Sequence, residues 1–188
     1  MNSELLGVLV DLAQIATGAV AIISLIFVWS QVKQLKDQFR SDTLLSLYKD
    51  LDTPEAQADR KFIYKVFSKT AKPTEMQVKR ARRVLASFDR MSYQVSRNFV
   101  DRKSAHDLYG RVLMRVMLST WRWLENDSRE RNDPKGREYC GNAERLAKEF
   151  AVENLRDFKK WKSSYNALSV PELLKASLEA HVQDRNKK

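Results

Sequence analysis

Hydrophobic residues dominate the N-terminal part of the chain and give way to a mixed pattern after it. The 21 residues from Leu12 to Val32 carry no charge, and the apolar run extends upstream with Asp11 as its one interruption. At about 1.5 Å per residue, such a helix spans about 31 Å, which matches a hydrocarbon core of about 30 Å. Trp29 lies where an interfacial aromatic is expected. The pattern predicts one transmembrane helix over residues 5–30, in an anchor segment of residues 1–32.

Two other interpretations of the apolar run stay open on the sequence. A cleaved signal peptide begins with a positive region, whereas the residues before this run hold Glu4 and neither Lys nor Arg. A core helix of a soluble protein is usually shorter and more amphipathic. The transmembrane interpretation is therefore favoured.

The charges that flank the predicted span differ in sign. Glu4 and Asp11 lie on its N-terminal side, and Lys33, Lys36 and Arg40 follow it. Because positive residues concentrate in cytoplasmic segments, we expect a single-pass protein with its N-terminus outside and its C-terminal part in the cytoplasm.

Polar and small residues form a stripe within the span. Their spacings of four, three, four and three residues place them along one side of a helix. Small side chains let membrane helices approach closely, and Gln or Asp can hydrogen-bond across such a contact. This predicts homo-oligomerisation or pairing with another membrane protein; alternatively, Asp11 is hydrated near the headgroups and the small residues have no role. The stripe consists of Gly7, Asp11, Gln14, Gly18 and Ala21.

Helical periodicity continues beyond the span. We expect a stalk helix over residues 33–52, a helical cytoplasmic domain over 53–166, and a short C-terminal helix with a frayed tail over 167–188. The longest soluble helix is predicted from Thr74 to Val100, opened by a Thr74–Gln77 capping box. Its apolar positions recur every three or four residues, which marks one buried face: Val78, Ala81, Leu85, Phe88, Met91, Val95 and Phe99.

Caps and breakers delimit the other predicted helices. Thr53-Pro54 opens one helix, Asp101 caps another that runs to about Leu124, and Ser169 to Glu172 opens the last. We expect a loop from Asn126 to Gly136, followed by a helix over residues 137–161. No alternation typical of strands is present, so the predicted fold is all-α: a transmembrane helix that continues into a stalk, then a helical bundle.

The chain is strongly basic. Its formal net charge is +10, and residues 33–188 carry all the excess because the anchor segment holds only two acids and no cation. Much of the excess lies between Arg60 and Lys103. Six cationic residues lie on the longest predicted soluble helix, away from its apolar positions: Lys79, Arg80, Arg82, Arg83, Arg90 and Arg97.

Three interpretations of these six residues stay open. They form a solvated face that pairs with acids elsewhere in the fold, or they dock on the anionic lipid of the cytoplasmic leaflet, where each nearby cation contributes about 1 kcal/mol. The third interpretation is contact with nucleic acid or another polyanion. It is not favoured, because no signature of a nucleic-acid-binding module accompanies the charge.

Sequence support for catalysis is weak, so we expect neither an enzyme nor a cofactor. The chain holds two histidines and one cysteine. Neighbouring residues on a helix point about 100° apart, so His106 and Asp107 are not expected to form a couple. Cys140 is predicted to be a small buried side chain. Arg129, Glu130 and Arg131, beside Asp127 and Asp133, are expected to form an exposed ion-pair cluster, with an anion site as the less favoured alternative. Trp121 and Trp123 are expected on different helix faces.

Several short stretches resemble a family of bacterial membrane proteins that have one N-terminal membrane helix and a helical cytosolic domain of unknown function. The resemblance covers roughly residues 15–160. It implies a bacterial source, a single pass and an all-α domain, and it implies no activity. The matching stretches are residues 26–29, 31–35, 82–85 and 88–90, Trp121, and residues 129–130.

Together these features favour a bacterial inner-membrane protein that acts as a non-enzymatic interaction or scaffold protein. Its partners would be membrane lipid, an acidic protein or a second copy of the chain. A small effector that perturbs the membrane on sensing a signal, as in defence against phage, is the first alternative. A nucleic-acid or nucleotide-binding module tethered to the membrane is the second.

Overall fold

A computed structural model describes residues 3–67, 73–130, 140–156 and 167–186 of the chain. These residues form helices and no strand, which confirms the predicted all-α fold. The helices are α1 (Ser3–Leu51), α2 (Pro54–Val66), α3 (Glu75–Ser96), α4 (Arg102–Ala105), a π-helix (His106–Gly110), α5 (Arg111–Glu130), α6 (Gly141–Arg156) and α7 (Val170–Arg185).

The chain divides into two compact units, residues 1–42 and 43–188. The first unit consists of the N-terminal part of α1, which is continuous through the predicted anchor and stalk. From Ala16 onward, α1 contains a stretch with mean hydropathy 1.5, none of which is buried. The core helix of a soluble protein is mostly buried, whereas this stretch is exposed. The helix is long and apolar enough to cross a membrane.

The predicted starts of four helices are confirmed. The Thr53 hydroxyl accepts a hydrogen bond from the backbone of Ala56, with Pro54 in the first helical turn. Thr74 forms the predicted capping box with Gln77. The same local chemistry operates at Asp101, which accepts from the Ser104 amide, and in the Ser169–Glu172 capping box. The Thr53, Thr74 and Asp101 side chains accept from amides that the first helical turn leaves without partners, and the Glu172 carboxylate accepts from the Ser169 amide.

Helix α3 ends earlier than predicted because its C-terminus is capped by backbone atoms. Asn98 has a φ of 57°, and its amide donates to the Val95 carbonyl while the Phe99 amide donates to the Gln94 carbonyl. This pair of bonds defines a Schellman motif, with asparagine at the left-handed position that glycine usually holds. The prediction that Phe99 is buried is wrong, because the chain turns before it and leaves 43% of the residue exposed.

Helix α5 is longer than predicted. It continues to Glu130, so the predicted loop is wrong for residues 126–130, and the rest of that loop lies outside the described residues. The predicted helix over residues 137–161 is observed as α6, and its predicted ends lie outside the described residues. Residues 126–130 are polar, yet α5 continues through them. Hydrogen bonds within the helix satisfy their backbone groups without apolar contacts.

The second unit encloses one hydrophobic core. Both tryptophans of α5 are buried, and Trp123 belongs to the hydrophobic core, where it meets Phe67 edge to face at 5.5 Å. Each large side chain removed from water contributes about 2 kcal/mol. The largest fully buried side chains include Phe88, Met91, Leu113, Met114, Met117, Phe150, Leu155 and Leu174.

Asp89 on α3 caps the N-terminus of α6 across the interface between the two helices. Its Oδ1 atom accepts hydrogen bonds from the amides of Asn142 at 2.8 Å and Ala143 at 3.0 Å. Its Oδ2 atom accepts from the Asn142 side chain at 3.1 Å. A carboxylate at this position meets the positive end of the helix dipole. The contact therefore fixes α6 on α3.

A chain of polar groups crosses the core between the π-helix, α6, α7 and α5. His106 Nε2 lies 2.9 Å from Asn154 Oδ1, and Asn154 Nδ2 donates to Ser177 Oγ at 3.1 Å. The Ser177 hydroxyl donates in turn to the sulfur of Met114 at 3.3 Å. Gly110 allows this packing, since a Cβ there would lie 3.1 Å from the His106 ring. These directional bonds select one register of α7 along α6.

We predict that Asp89→Ala lowers the free energy of unfolding of the 43–188 unit by about 2 kcal/mol, because the first amides of α6 lose a charged acceptor. Chemical unfolding of the full chain in detergent, followed by circular dichroism, measures this change. The exposed acid Glu179 provides the control, and Glu179→Ala should change the free energy by less than about 0.5 kcal/mol. Equal effects of the two substitutions would contradict the role assigned to Asp89.

Candidate functional site

The first candidate surface is the set of six cationic residues predicted on α3. Helix α2 supplies acids to two of them. Arg83 lies 2.6 Å from Glu55 and 3.7 Å from Asp59, and Arg80 lies 3.8 Å from Asp59. Asp59 is only 6% exposed. Both arginines are therefore held by the neighbouring helix, and Arg80 also stacks over the Phe62 ring at 5.0 Å.

The remaining four residues of this surface divide into paired and unpaired groups. Arg82 lies 3.9 Å from Asp127 on α5, and Arg90 pairs with Asp50 in the last turns of α1. Arg97 stacks on the Tyr93 ring at 5.3 Å. Lys79 is exposed and has no acidic partner among the residues that the structure describes. Acids thus offset much of the positive charge on α3, as in the first of the three interpretations above.

The second candidate surface is the polar stripe of the predicted span. All five of its residues lie on α1. Gln14, Gly18 and Ala21 are exposed, and a Cβ at Gly18 would meet nothing within 4 Å. The surroundings of Gly7 and the side chain of Asp11 lie outside what the structure describes. The exposed part of the stripe is accessible to another helix.

The side chains of His106 and Cys140 make contacts within the fold. His106 Nδ1 lies 3.3 Å from Asp107 Oδ1, so the expectation that they do not meet is wrong: the side chains bend towards each other. The ring is held on its other side by Asn154 and packs edge to face on Phe150 at 4.9 Å. Cys140 is fully buried, as predicted. The side chains of residues 129–133, the predicted ion-pair cluster, lie outside the described residues.

A third surface, which the sequence analysis missed, is a groove of about 960 Å³ in the second unit. Helix α5 packs against α2 on one side and α7 on the other, so it forms the floor between two walls. Each helix contributes one continuous face, since its lining residues recur at three- and four-residue intervals. The lining from the helices comprises Gln57, Arg60, Lys61 and Tyr64 of α2; Arg111, Val112, Arg115, Leu118 and Ser119 of α5; and Leu178, His181, Val182 and Arg185 of α7.

The groove is cationic and partly apolar. Five cationic side chains and only two carboxylates, Asp52 and Asp107, line it. Leu108, from the π-helix, is 50% exposed there and Val182 is 58% exposed. The cations that have no acid within ion-pair distance, counted over the described residues alone, are Lys61, Arg111, Arg115 and Arg185.

Electrostatic effects within the groove reflect this excess of positive charge. Partial burial lowers the pKa of His181, and the charges of Arg111 and Arg185 lower it further. Arg115 stacks over the Tyr64 ring at 4.3 Å. Burial raises the pKa of Tyr64, so its hydroxyl remains protonated at neutral pH. The groove therefore has an excess of positive charge, and a negatively charged ligand would be attracted to it.

A smaller depression of about 600 Å³ lies between the end of α3 and the first half of α6. Three arginines line it, but Arg102 is bound by Glu149 at 2.6 Å and by Glu153 at 2.5 Å. Those carboxylates offset its charge. This depression is thus less cationic than the groove.

A pattern for the groove was present in the sequence. Arginine and aliphatic residues recur together at helical spacing in α5 and α7, as in Arg111-Val112-Arg115 and His181-Val182-Arg185. On a single helix, apolar positions mark the buried face, and cations beside them do not reveal a groove. Only the packing of α2 and α7 beside α5 shows that the three mixed faces line one groove.

Comparison with known proteins adds no assignment: no family model, curated protein or solved structure matches the chain. The resemblance to the bacterial single-pass family therefore stays a prediction. Within the described ranges, no group of three His, Cys, Asp or Glu side chains is arranged to hold a metal ion. The features that bear on function are therefore the apolar helix of the first unit and the groove of the second.

We predict that Arg111→Gln raises the pKa of His181, because one of the charges that disfavour the imidazolium is removed. With two histidines in the chain, titration of the imidazole proton signals by NMR resolves both. Lys79→Gln removes an equal charge outside the groove and should leave the pKa of His181 unchanged. Since folding lowers this pKa, the unfolded chain binds more protons, and stability should fall as the pH decreases through the ordinary histidine pKa.

Proposed function

We propose that this chain is a single-pass protein of the bacterial inner membrane that acts as a non-enzymatic interaction or scaffold protein. The observation that carries the proposal is the exposed apolar surface of α1 from Ala16 onward. Water does not stabilise such a surface, whereas a bilayer does. The charges that flank the span favour an N-terminus outside and a cytoplasmic second unit. The resemblance to the bacterial family supports the same arrangement.

The cationic groove supports a role in binding. Four of its cations lack acidic partners within the described residues, whereas four arginines of α3 have them. We therefore assign docking on anionic lipid or on an acidic partner to the groove in preference to the α3 face. A tethered unit needs little affinity of its own, because the anchor raises its effective concentration near the membrane.

The reactive side chains are buried or already in contact with polar groups of the fold, which supports a non-enzymatic role. Cys140 is buried away from solvent, and both ring nitrogens of His106 have polar neighbours. His181 lies among arginines that disfavour its protonated form. Cys140 thus lacks the access that a nucleophile requires, and both ring nitrogens of His106 are already engaged within the fold.

The polar stripe of α1 supports self-association within the membrane. Small residues permit close helix approach, and the exposed Gln14 side chain can hydrogen-bond across the contact. The proposed assembly is therefore a homo-oligomer that presents several second units on one membrane face.

We expect the full chain to remain in the membrane fraction after alkaline carbonate extraction, because its apolar helix spans the bilayer. A cytoplasmic reporter fused after Lys188 should be active and a periplasmic reporter inactive. Release by carbonate would contradict the membrane anchor, and an active periplasmic reporter would contradict the orientation.

We expect Gly18→Leu to reduce the mass of the detergent-solubilised protein towards that of a monomer, because the larger side chain separates the paired helices. Light scattering coupled to size exclusion measures this mass. Ala19→Leu adds a comparable side chain about 100° away around the helix and should leave the mass unchanged. If both variants keep the parental mass, the stripe is not a helix contact.

A further inference from the structure

We propose that the groove binds an amphipathic helix with acidic flanks, supplied by a partner protein. This inference rests on the proposed function and deepens it, because it names the kind of partner that the second unit recruits. The shape of the groove, the order of its residues and the placement of its charges support it separately.

The shape of the groove fits a helix. On α5, the lining residues extend from Arg111 to Ser119, and Leu108 of the preceding π-helix continues the same row. At about 1.5 Å per residue, this floor is roughly 16 Å long, or three helical turns. The walls, α2 and α7, flank it on either side. A helix is about 10 Å wide and packs into grooves of this kind through an apolar face.

Apolar residues in the groove would contact the apolar face of the bound helix. Val112 and Leu118 on the floor and Leu178 on a wall are partly buried, and Leu108 and Val182 are half exposed. A ligand that covered them would remove apolar surface from water, at about 25 cal/mol for each Å². A purely polar anion, such as a free phosphate, would leave this surface in water.

Cationic residues lie on both sides of the apolar floor, and for this reason we infer that the ligand carries acidic residues on both flanks. Lys61 lies on the α2 wall and Arg185 on the α7 wall, while Arg111 and Arg115 are one turn apart on α5. A helix with carboxylates at three- and four-residue spacing on both flanks can meet these cations together. An anionic lipid carries its charge in one headgroup. The distribution of cations along and across the groove therefore favours a helix over a lipid.

The test uses the full chain in nanodiscs of zwitterionic lipid. The probe is a fluorescent peptide helix of about five turns, with leucine at three- and four-residue spacing and glutamate on both flanks. A second peptide has lysine in place of every glutamate. We expect the acidic peptide to bind in fluorescence anisotropy at least about tenfold more tightly than the basic one. Nanodiscs without protein measure binding of each peptide to lipid.

Charge reversal identifies the binding surface. Arg111→Glu should weaken binding of the acidic peptide about fivefold and strengthen binding of the basic peptide, since it exchanges an attraction for a repulsion. Lys79→Glu makes the same change on α3 and should alter neither affinity. Ser119→Glu adds an acid to the groove at a side chain that makes no hydrogen bond within the described residues, and it should also weaken binding of the acidic peptide.

Three outcomes would overturn the inference. The first is that neither peptide binds, or that both bind equally. The second is that Lys79→Glu weakens binding as much as Arg111→Glu, which would place the contact on α3. The third is displacement of the acidic peptide by short-chain phosphatidylglycerol but not by phosphatidylcholine, which would make lipid the ligand. Carbonate extraction and the reporters would still test the membrane anchor separately.

Discussion

Within the second unit, a buried arginine joins the last residue of α1 to α2. The Arg60 guanidinium donates to the carbonyl of Leu51, the last residue of α1, and lies 3.4 Å from Asp52. It satisfies a carbonyl that the helix end leaves without a partner and meets the negative end of the helix dipole. Because a buried cation without partners is costly, α2 must lie against this helix end. That position of α2 brings Glu55 and Asp59 to the arginines of α3.

The local features of the fold could be predicted from the sequence, whereas long-range pairing could not. The caps at Thr74 and Asp101 depend on residues three positions apart, so local spacing reveals them. The end of α3 depends on a left-handed asparagine that resembles any other polar residue in the sequence. The acids that pair with Arg83 and Arg90 are 28 and 40 residues away. Their proximity arises only from tertiary packing.

The candidate site was likewise predictable in its local features and not in its long-range contacts. Five of the six basic residues singled out in the sequence lie on α3 and Arg97 caps its C-terminus, but the sequence could not show which of them acids would offset. On each helix of the groove, the mixed row of cations and aliphatic residues is typical of an ordinary solvent-exposed face. Arg115, for example, is placed in the groove by stacking over the ring of Tyr64 of α2, which the sequence alone does not show. A surface made of three such faces becomes visible only when the helices are placed side by side.

The π-helix between α4 and α5 has an evolutionary consequence. A π-turn bonds each residue to the fifth one along, so it holds one residue more than an α-helical turn. Such a turn absorbs an inserted residue locally, and the helical faces on both sides keep their neighbours. In this chain, the turn contains His106, which joins the polar chain of the core, and Leu108, which projects into the groove. Loss of the extra residue would therefore keep the bundle but change the floor of the groove, so this surface can diverge while the fold is conserved.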